Sequence, residues 1–434
     1  MYKLIRLIFL FHFSDRNSLY GKCMQCNENN THAAWRQTCD PDKTIREWTS
    51  GNKVIDRCIK EFQIKTTKYE NMIEWIPFDK LTDISEIGKG GFGSVHQATW
   101  LDGIRKIKKV KIVDSYDGDD DNYFYIRDRE QSSIVALKTL PSSLNEFKNH
   151  MKCTTWGSKL KIYGLTYDEK TDNYLMVFQY ANNGSLNKYL ETNFKELTWK
   201  TKLKLLLDIS EDLREIHYAG YIHADFHSGN VLQDQRISEI MQSYIADLGL
   251  SKKTDENSSD GIYGVIPYVA PEVLLGEKFT PAADVYGFGI IMTEMSTGQR
   301  PFDGYEFDTK LTNRICKGLR PEFAIRTPSC YVELARRCMN SDPKSRPTAN
   351  EVYMKLYKWN KFMKVSDDAD VDKIKKQFLD ADKIVKTLPI ISRKHPNSMY
   401  SSKFINTREI LKSSIEGTLI LHYTAIIILF IYLS

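Results

Sequence analysis

The chain has 434 residues, 41% hydrophobic and 27% charged, with a formal net charge of +5. This is the composition of an ordinary globular protein with room for a large core, and its charge excess is too small for its size to indicate nucleic acid as a partner. The eight cysteines (Cys23, Cys26, Cys39, Cys58, Cys153, Cys316, Cys330 and Cys338) are scattered along the chain, which favours reduced thiols and a cytosolic setting over a disulfide framework.

Residues 1–60 read as a polar, Cys-containing head. Its first stretch, Met1 to Phe13, joins Lys3 and Arg6 to a short apolar run without a small-residue cleavage site. Both a signal-like segment and a hydrophobic first strand remain open. Cys23-Met24-Gln25-Cys26 is a thiolate pair of suitable bite for zinc, which takes about four tetrahedral ligands. The alternatives are a structural zinc knuckle and a degenerate one without metal. Val54, Ile55, Ile59, Phe62 and Ile64 recur at mostly helical spacing, which predicts a helix within Lys53 to Glu70, and residues 61–80 form a lead-in segment.

From Ile84 the pattern becomes strand-like. Ile87-Gly88-Lys89-Gly90-Gly91-Phe92-Gly93-Ser94-Val95 places glycines where a hairpin must cover phosphates, since only backbone without side chains approaches them so closely. The same spacing occurs in dinucleotide-binding turns, but there a helix follows. Here Val95 to Trp100 alternate as a strand. Between Leu101 and Ser133 a basic half (Arg105, Lys106, Lys108, Lys109, Lys111) precedes an acidic half (Asp117, Asp119, Asp120, Asp121), and a solvated hairpin extension is expected. Val135-Ala136-Leu137-Lys138 is a buried-strand pattern ending in a lysine that needs a carboxylate partner. Tyr174 to Phe178 is the next strand, and Asn182-Asn183-Gly184-Ser185-Leu186 turns into a helix with Ser185 as its cap. Trp199, Leu203, Leu206, Ile209, Leu213 and Ile216 then mark one face of a long core helix.

That helix leads into His223-Ala224-Asp225-Phe226-His227-Ser228-Gly229-Asn230. Phosphoryl transfer needs a carboxylate near the incoming hydroxyl and a carboxamide able to hold a magnesium ion on the phosphates, and Asp225 and Asn230 supply that pair. Asp247-Leu248-Gly249 adds a second carboxylate, ahead of a polar segment and Ala270-Pro271-Glu272. Asp284-Val285-Tyr286-Gly287-Phe288-Gly289 and Arg346 follow. After about Lys364 the chain turns polar and lysine-rich, with a helix expected around Val371 to Val385 and a flexible linker beyond it. Thr418 to Leu433 is a 16-residue apolar run, roughly 24 Å long as a helix against a hydrocarbon core of about 30 Å, a short candidate membrane anchor interrupted by His422.

In this order the motifs resemble those of the protein kinase superfamily, and most closely its tyrosine-kinase-like group. Trp48-Thr49-Ser50-Gly51-Asn52 and Glu74-Trp75-Ile76-Pro77-Phe78 resemble the lead segment of a kinase family greatly expanded in some fungi. The resemblance runs from about residue 20 to about 405. It implies an α+β, two-lobed protein kinase fold, with a small β-rich N-lobe at 81–178 and a larger helical C-lobe at 182–361. A polar tail at 362–417 and the hydrophobic segment 418–433 would follow.

The roles it implies are specific. Ile87, Gly88, Gly90, Gly93, Val95, Ala136, Lys138, Gln179 and Ala181 would surround ATP, with Gln179-Tyr180-Ala181 as the hinge and Phe178 guarding the pocket. Lys138 would hold the α- and β-phosphates and pair with Glu146, eight residues on, which demands a tight loop. Asp225 would be the catalytic base, Asn230 and Asp247 would hold Mg2+, Leu248 stands where Phe is usual, Glu272 would pair with Arg346, and Asp284 would brace the catalytic loop. In related heads a second CxxC follows the first. Here Arg36 and Cys39 occupy its two cysteine places, so a fourth zinc ligand would be His32 or water.

Ala224 stands where the family usually has an Arg that binds a phosphorylated activation loop. The resemblance therefore implies a kinase that does not depend on phosphate at Ser251, Thr254, Ser258, Ser259 or Tyr263. Val265 lacks the usual Thr hydroxyl and His227 stands where Ser/Thr kinases often have Lys, but the group usually phosphorylates serine or threonine. The implied partners are ATP and a protein substrate, with a membrane through the C-terminal segment and no nucleic acid. One alternative is a pseudokinase acting as an ATP-binding scaffold. Another, a zinc-dependent interaction protein centred on the head, accounts for only a small part of the chain.

Overall fold

The computed structural model describes residues 20–40, 48–90, 93–111, 123–140, 144–235, 241–254, 262–364, 369–385 and 394–410. The chain divides into two compact units, one from Met1–Lys89, Gly93–Ser142 and Lys161–Tyr180, the other from Gly90–Phe92, Ser143–Leu160 and Ala181–Ser434. Met1 to Phe13 and Thr418 to Leu433 lie outside the described residues. Among the described residues no helix is long and apolar enough to cross a membrane.

In the first unit, α1 (Lys53–Lys65) starts at Asn52, whose side chain accepts the Val54 and Ile55 N–H groups. Its buried stripe is Ile55, Cys58, Ile59 and Phe62. Val54 and Ile64, read as part of that stripe, are 65% and 55% exposed instead, because the stripe's i, i+3, i+4 spacing from Ile55 leaves Val54 on its flank and Ile64 on the opposite side. The strands are β1 (Glu74–Trp75), β2 (Leu81–Gly90), β3 (Gly93–Trp100), β4 (Arg105–Lys111), β5 (Tyr123–Arg129), β6 (Ser133–Thr139), β7 (Ile162–Asp168) and β8 (Asn173–Gln179). Six form one sheet in the order β1-β7-β8-β6-β3-β2. Gly164 is obligatory where parallel β1 meets β7: a Cβ there would lie 1.9 Å from the Glu74 carbonyl oxygen.

Register sorts this sheet into two faces. Ala98, Trp100, Val135, Leu137, Leu175 and Val177 build a buried cluster on one side. Val95 lies opposite Lys138, Lys138 opposite Met176, and Ala136 opposite Phe178. With a side-chain period of two, all five share the other side.

The charged insertion forms a hairpin, β4 pairing antiparallel with β5. Its acidic half, Asp117 to Asp121, lies outside the described residues, and several arginines of the described part are partnered. Arg105 and Arg129 both bind Glu74, at 2.7 and 2.6 Å, and Arg127 binds Asp40 of the head at 2.6 Å. Buried Trp35, Tyr69 and Met72 with Ile107 form a small core beneath. Burying part of a basic strand required these carboxylate and aromatic partners.

The second unit contains α2 (Asn145–Trp156), α3 (Leu186–Asn193), α4 (Trp199–Tyr218), β9 (Tyr221–Ile222), β10 (Val231–Asp234), β11 (Gln242–Ile245), β12 (Lys252–Lys253) and β13 (Ile262–Gly264). Then come α5 (Pro271–Leu274), α6 (Pro281–Thr297), α7 (Thr309–Cys316), α8 (Ser329–Cys338), α9 (Ala349–Phe362), α10 (Ala369–Val385) and β14 (Lys403–Ile405). The expected face of α4 is buried throughout. Helix α6 is buried nearly all round, the pattern of a central helix. Ser185 occupies the N-cap of α3, but its side chain makes no capping bond.

Residues 394–410, expected in a flexible linker, are docked. In residues 394–410, Tyr400, Ile405 and Ile410 are buried in the same core as α4 and α6. Periodicity is too short there to announce a docked segment.

Candidate active site

The catalytic loop is suspended from the N-terminal end of α6. One oxygen of Asp284 accepts the His223 N–H at 2.8 Å and pairs with His217 Nε2 at 2.8 Å, and its other oxygen accepts the Ala224 N–H at 3.1 Å. The brace expected of Asp284 is thus in place. It holds Ala224 at φ +64°, a left-handed conformation that costs a non-glycine residue about 1–2 kcal/mol. Two turns of α6 leave room for the loop: a Cβ on Gly287 would lie 2.6 Å from the Phe226 carbonyl oxygen. Positive φ recurs at Asp247, +64°, and such outliers concentrate where geometry serves function.

Asp225 and Asn230 meet at the end of this loop. The Asn230 amide donates to the Asp225 carbonyl at 3.0 Å and its carboxylate at 3.3 Å, leaving the carboxamide oxygen as the ligand atom. Asp225 is buried. Burial pushes its carboxyl up, but His227, 3.6 Å away, and the Ser402 hydroxyl outweigh this and hold it below its ordinary value. Asp247 is half-buried. A carboxamide oxygen and carboxylates are the hard donors that magnesium takes, so the residues present fit the ion.

The other expected site residues fall in two groups. In the sheet unit, Lys138 is buried, while Val95 and Ala136 are half-buried on its face. Gly88 has open space where a Cβ would stand, and Ile87 is exposed. Gly90 ends β2, and Gly93 opens β3 at φ +128°. Gln179, expected in the hinge, closes β8 opposite Val135, its N–H bound to the Lys161 carbonyl at 2.9 Å. In the helical unit, Ala181 accepts the Gly184 N–H at 3.2 Å. Glu146 is buried in the first turn of α2, 3.9 Å from His150. The link before it passes through residues 141–143, outside the described set.

The lower framework also matches expectation: Arg346 grips Glu272 with two hydrogen bonds of 2.7 and 2.6 Å, both groups buried. Three features carried no sequence signal that singled them out. His150 accepts the Leu248 N–H at 3.2 Å, tying α2 to the Asp-Leu-Gly turn; its only mark is a place four residues after Glu146. Ser228 bonds Glu294 at 3.1 Å and Tyr268 at 3.0 Å, an all-buried polar group on three separate segments. Ser402, in the tail, reaches Asp225.

In the head, the sulfurs of Cys23, Cys26 and Cys39 lie within 4.8 Å of one another. His32 is not in that group; its ring stacks on Tyr20 at 5.3 Å. The expected His ligand is therefore not gathered, because stacking turns the imidazole to another neighbour. Among the described residues, which include all eight cysteines, there is no disulfide.

A six-stranded sheet bearing a buried lysine, and a helical unit with a clamped Asp/Asn loop and an Asp-Leu-Gly turn, define a two-lobed protein kinase domain. Residues 81–356 match the family described as protein tyrosine and serine/threonine kinase, and the chain belongs to that family. It is similar to a probable serine/threonine-protein kinase of Dictyostelium discoideum, 27% identical over 272 residues covering 62% of this chain and 15% of that one. A second such Dictyostelium protein is 30% identical over 305 residues, 68% of this chain and 29% of that one. Cyclic GMP-binding protein C of the same organism is 28% identical over 299 residues, 64% of this chain and 11% of that one. The chain thus spans well under a third of the length of these relatives.

Proposed function

We propose that this chain is an ATP-dependent protein kinase that transfers the γ-phosphoryl group to serine or threonine hydroxyls of protein substrates in signal transduction. The observation that carries this is the Asp225–Asn230 pair on a loop clamped by Asp284. Asp225 orients the acceptor hydroxyl and takes its proton. Asn230 and Asp247 hold magnesium, which when bound with ATP neutralises phosphate charge. Lys138 positions the phosphates, and the face carrying Val95 and Ala136 takes the adenine. Catalysis of this kind is mostly positioning and charge stabilisation, so loss of one member is severe. All the residues that touch phosphate, metal or hydroxyl are present, which favours turnover over an ATP-binding scaffold. Magnesium-dependent ATP consumption and casein phosphorylation by the wild type beside Asp225→Ala test it; equal rates in the two would refute it.

The finer assignments belong to the same proposal. The Gly264-Val265-Ile266-Pro267-Tyr268 motif and the lead segment support the tyrosine-kinase-like group and the expanded fungal family within it. The reduced cysteines and the need for ATP support a cytosolic catalytic domain, and Thr418 to Leu433 would attach it to a membrane; recovery of the full chain in detergent-free buffer argues against that anchor. Cys23, Cys26 and Cys39 would hold zinc as three thiolates with water in the fourth place. Metal analysis of the full chain beside Cys39→Ser checks this, and a zinc content below stoichiometric in the wild type ends it.

A further inference from the structure

The C-terminal segment 394–410 lies on the catalytic loop of the helical unit. Strand β14 pairs antiparallel with β13 of the activation segment, Lys403 opposite Gly264, Phe404 opposite Tyr263 and Ile405 opposite Ile262. The Phe404 ring meets Tyr263 edge-on at 5.5 Å. One residue before the strand, the Ser402 hydroxyl donates to Oδ2 of Asp225 at 2.5 Å and lies 3.4 Å from Nε2 of His227. A hydroxyl within hydrogen-bond reach of a carboxylate base is the arrangement required of an acceptor.

The segment is anchored on both sides of this contact. Tyr400 is buried, donates to the Pro301 carbonyl at 3.0 Å, packs edge-on against Phe307 at 5.0 Å and lies under the Arg300 guanidinium at 4.5 Å. The two oxygens of Asp303 accept the N–H groups of Lys394 and His395 at 3.0 Å each. Ile405 and Ile410 fill the core downstream. Strand addition with side chains in pockets is a common mode of peptide recognition, and here the peptide is tethered to its own site, which raises its effective concentration.

We propose that Ser402 is a phosphoacceptor of this chain itself: the tail occupies the acceptor groove of its own kinase domain and is phosphorylated in cis. The proposal rests on the kinase reading above. Ser402 Oγ attacks the γ-phosphorus of ATP; the new O–P bond forms as the bond to the β-phosphate's bridging oxygen breaks, ADP leaves, and the hydroxyl proton passes to Asp225. The phosphoserine carries about −1.5 to −2 charge at neutral pH and is far larger than the hydroxyl it replaces, so it no longer fits against Asp225 and His227; the tail loosens and the groove opens to other substrates. Before phosphorylation the docked tail excludes them.

The experiment uses full-length, phosphatase-treated wild type, Ser402→Ala, Tyr400→Ala and Asp303→Ala, each given ATP, magnesium and casein, with phosphosites mapped by mass spectrometry over a range of enzyme concentrations. Wild type is expected to gain phosphate on Ser402 with a rate constant independent of enzyme concentration. Ser402→Ala keeps casein phosphorylation low because the other anchors remain. Tyr400→Ala lowers Ser402 labelling and raises the initial rate on casein about tenfold, equivalent to about 1.4 kcal/mol of docking lost; half-buried Asp303→Ala gives the same direction if Tyr400→Ala fails to fold. Casein phosphorylation by the wild type without phosphate on Ser402, or wild-type Ser402 labelling with a rate constant proportional to enzyme concentration, overturns the tail proposal and leaves the kinase reading standing. No phosphate on any hydroxyl in any of the four chains overturns both.

Discussion

Replacing Asp284 with Asn isolates the contribution of the loop clamp while keeping the side chain's shape. The carboxylate accepts three hydrogen bonds, from His217 Nε2 and His223 N on one oxygen and Ala224 N on the other, and it is buried. Asn has one oxygen. Its better orientation keeps the His217 and His223 bonds without their charge assistance and turns an NH2 group on the Ala224 N–H. Hydrogen bonds to charged groups are worth about 1.5–3 kcal/mol each, so one lost bond and two weakened ones remove about 3 kcal/mol from the clamped loop. Ala224 at φ +64° adds its own strain to the release. At about 1.4 kcal/mol per decade, turnover on casein falls about 10²-fold. Because the clamp fixes transition-state geometry rather than substrate binding, kcat and kcat/KM fall together. Steady-state kinetics beside urea denaturation measure both quantities. Ala224→Gly, which relieves the left-handed strain at a site that tolerates it, restores part of the loss in the double variant, a coupling expected between residues in contact. Turnover by Asp284→Asn within about threefold of wild type, with unchanged unfolding, would refute the reasoning.

Other expectations follow from single residues. Glu272→Ala strands the buried Arg346 guanidinium and destabilises the helical unit by about 3–5 kcal/mol in urea denaturation, whereas replacing both members with leucines costs much less. Burial pushes the Glu294 carboxyl from its ordinary 4.5 up to about 7, against its bond from Ser228 and the nearby Arg300. The folded state therefore binds the extra proton between those pH values, so the Glu294 contribution to stability is complete below about pH 4.5 and is lost as pH rises through 7, on the order of 3 kcal/mol in all. Unfolding free energies of wild type and Glu294→Gln should converge or cross over that window as the wild type weakens; parallel curves would contradict it. Joint replacement of Ser251, Thr254, Ser258 and Ser259 by Ala and Tyr263 by Phe should leave turnover within about threefold, since Ala224 offers a phosphorylated loop no guanidinium; abolished turnover in a folded protein would contradict it.

The candidate site residues stand out in the sequence because phosphoryl transfer restricts residue type at each contact. Asp225, Asn230 and Asp247 have few chemical substitutes, and the long face of α4 that leads into them repeats at a clean helical period. Packing partners were not legible in the same way. Val54 and Ile64 are apolar residues at nearly the right spacing, and only the core beneath α1 decides that Ile55, Cys58, Ile59 and Phe62 go inward. The basic half of the insertion reads as solvated because charge runs usually are, yet Glu74 and Asp40, distant in sequence, bind three of that hairpin's arginines. His32 reads as one of two alternatives, with water, for a fourth zinc ligand, and its ring stacks on Tyr20 instead.

Ser402 marks the limit most clearly. It stands in Tyr400-Ser401-Ser402-Lys403, a run whose polarity and short apolar content read as linker, and its partner Asp225 is 177 residues away. No local period can encode a contact of that separation. What the tail does encode is a set of anchors that make sense only together: Tyr400 for a pocket beside Phe307 and Pro301, backbone N–H groups at 394 and 395 for Asp303, and Ile405 and Ile410 for the core. Each is weak alone, but a tethered segment adds them without a further loss of translational freedom, so modest contacts suffice to hold a hydroxyl on the base. The same additivity makes the arrangement reversible. A phosphate placed on Ser402 no longer fits against Asp225 and His227 at the centre of the set, and the anchors that were adequate for a neutral serine need not hold a phosphoserine.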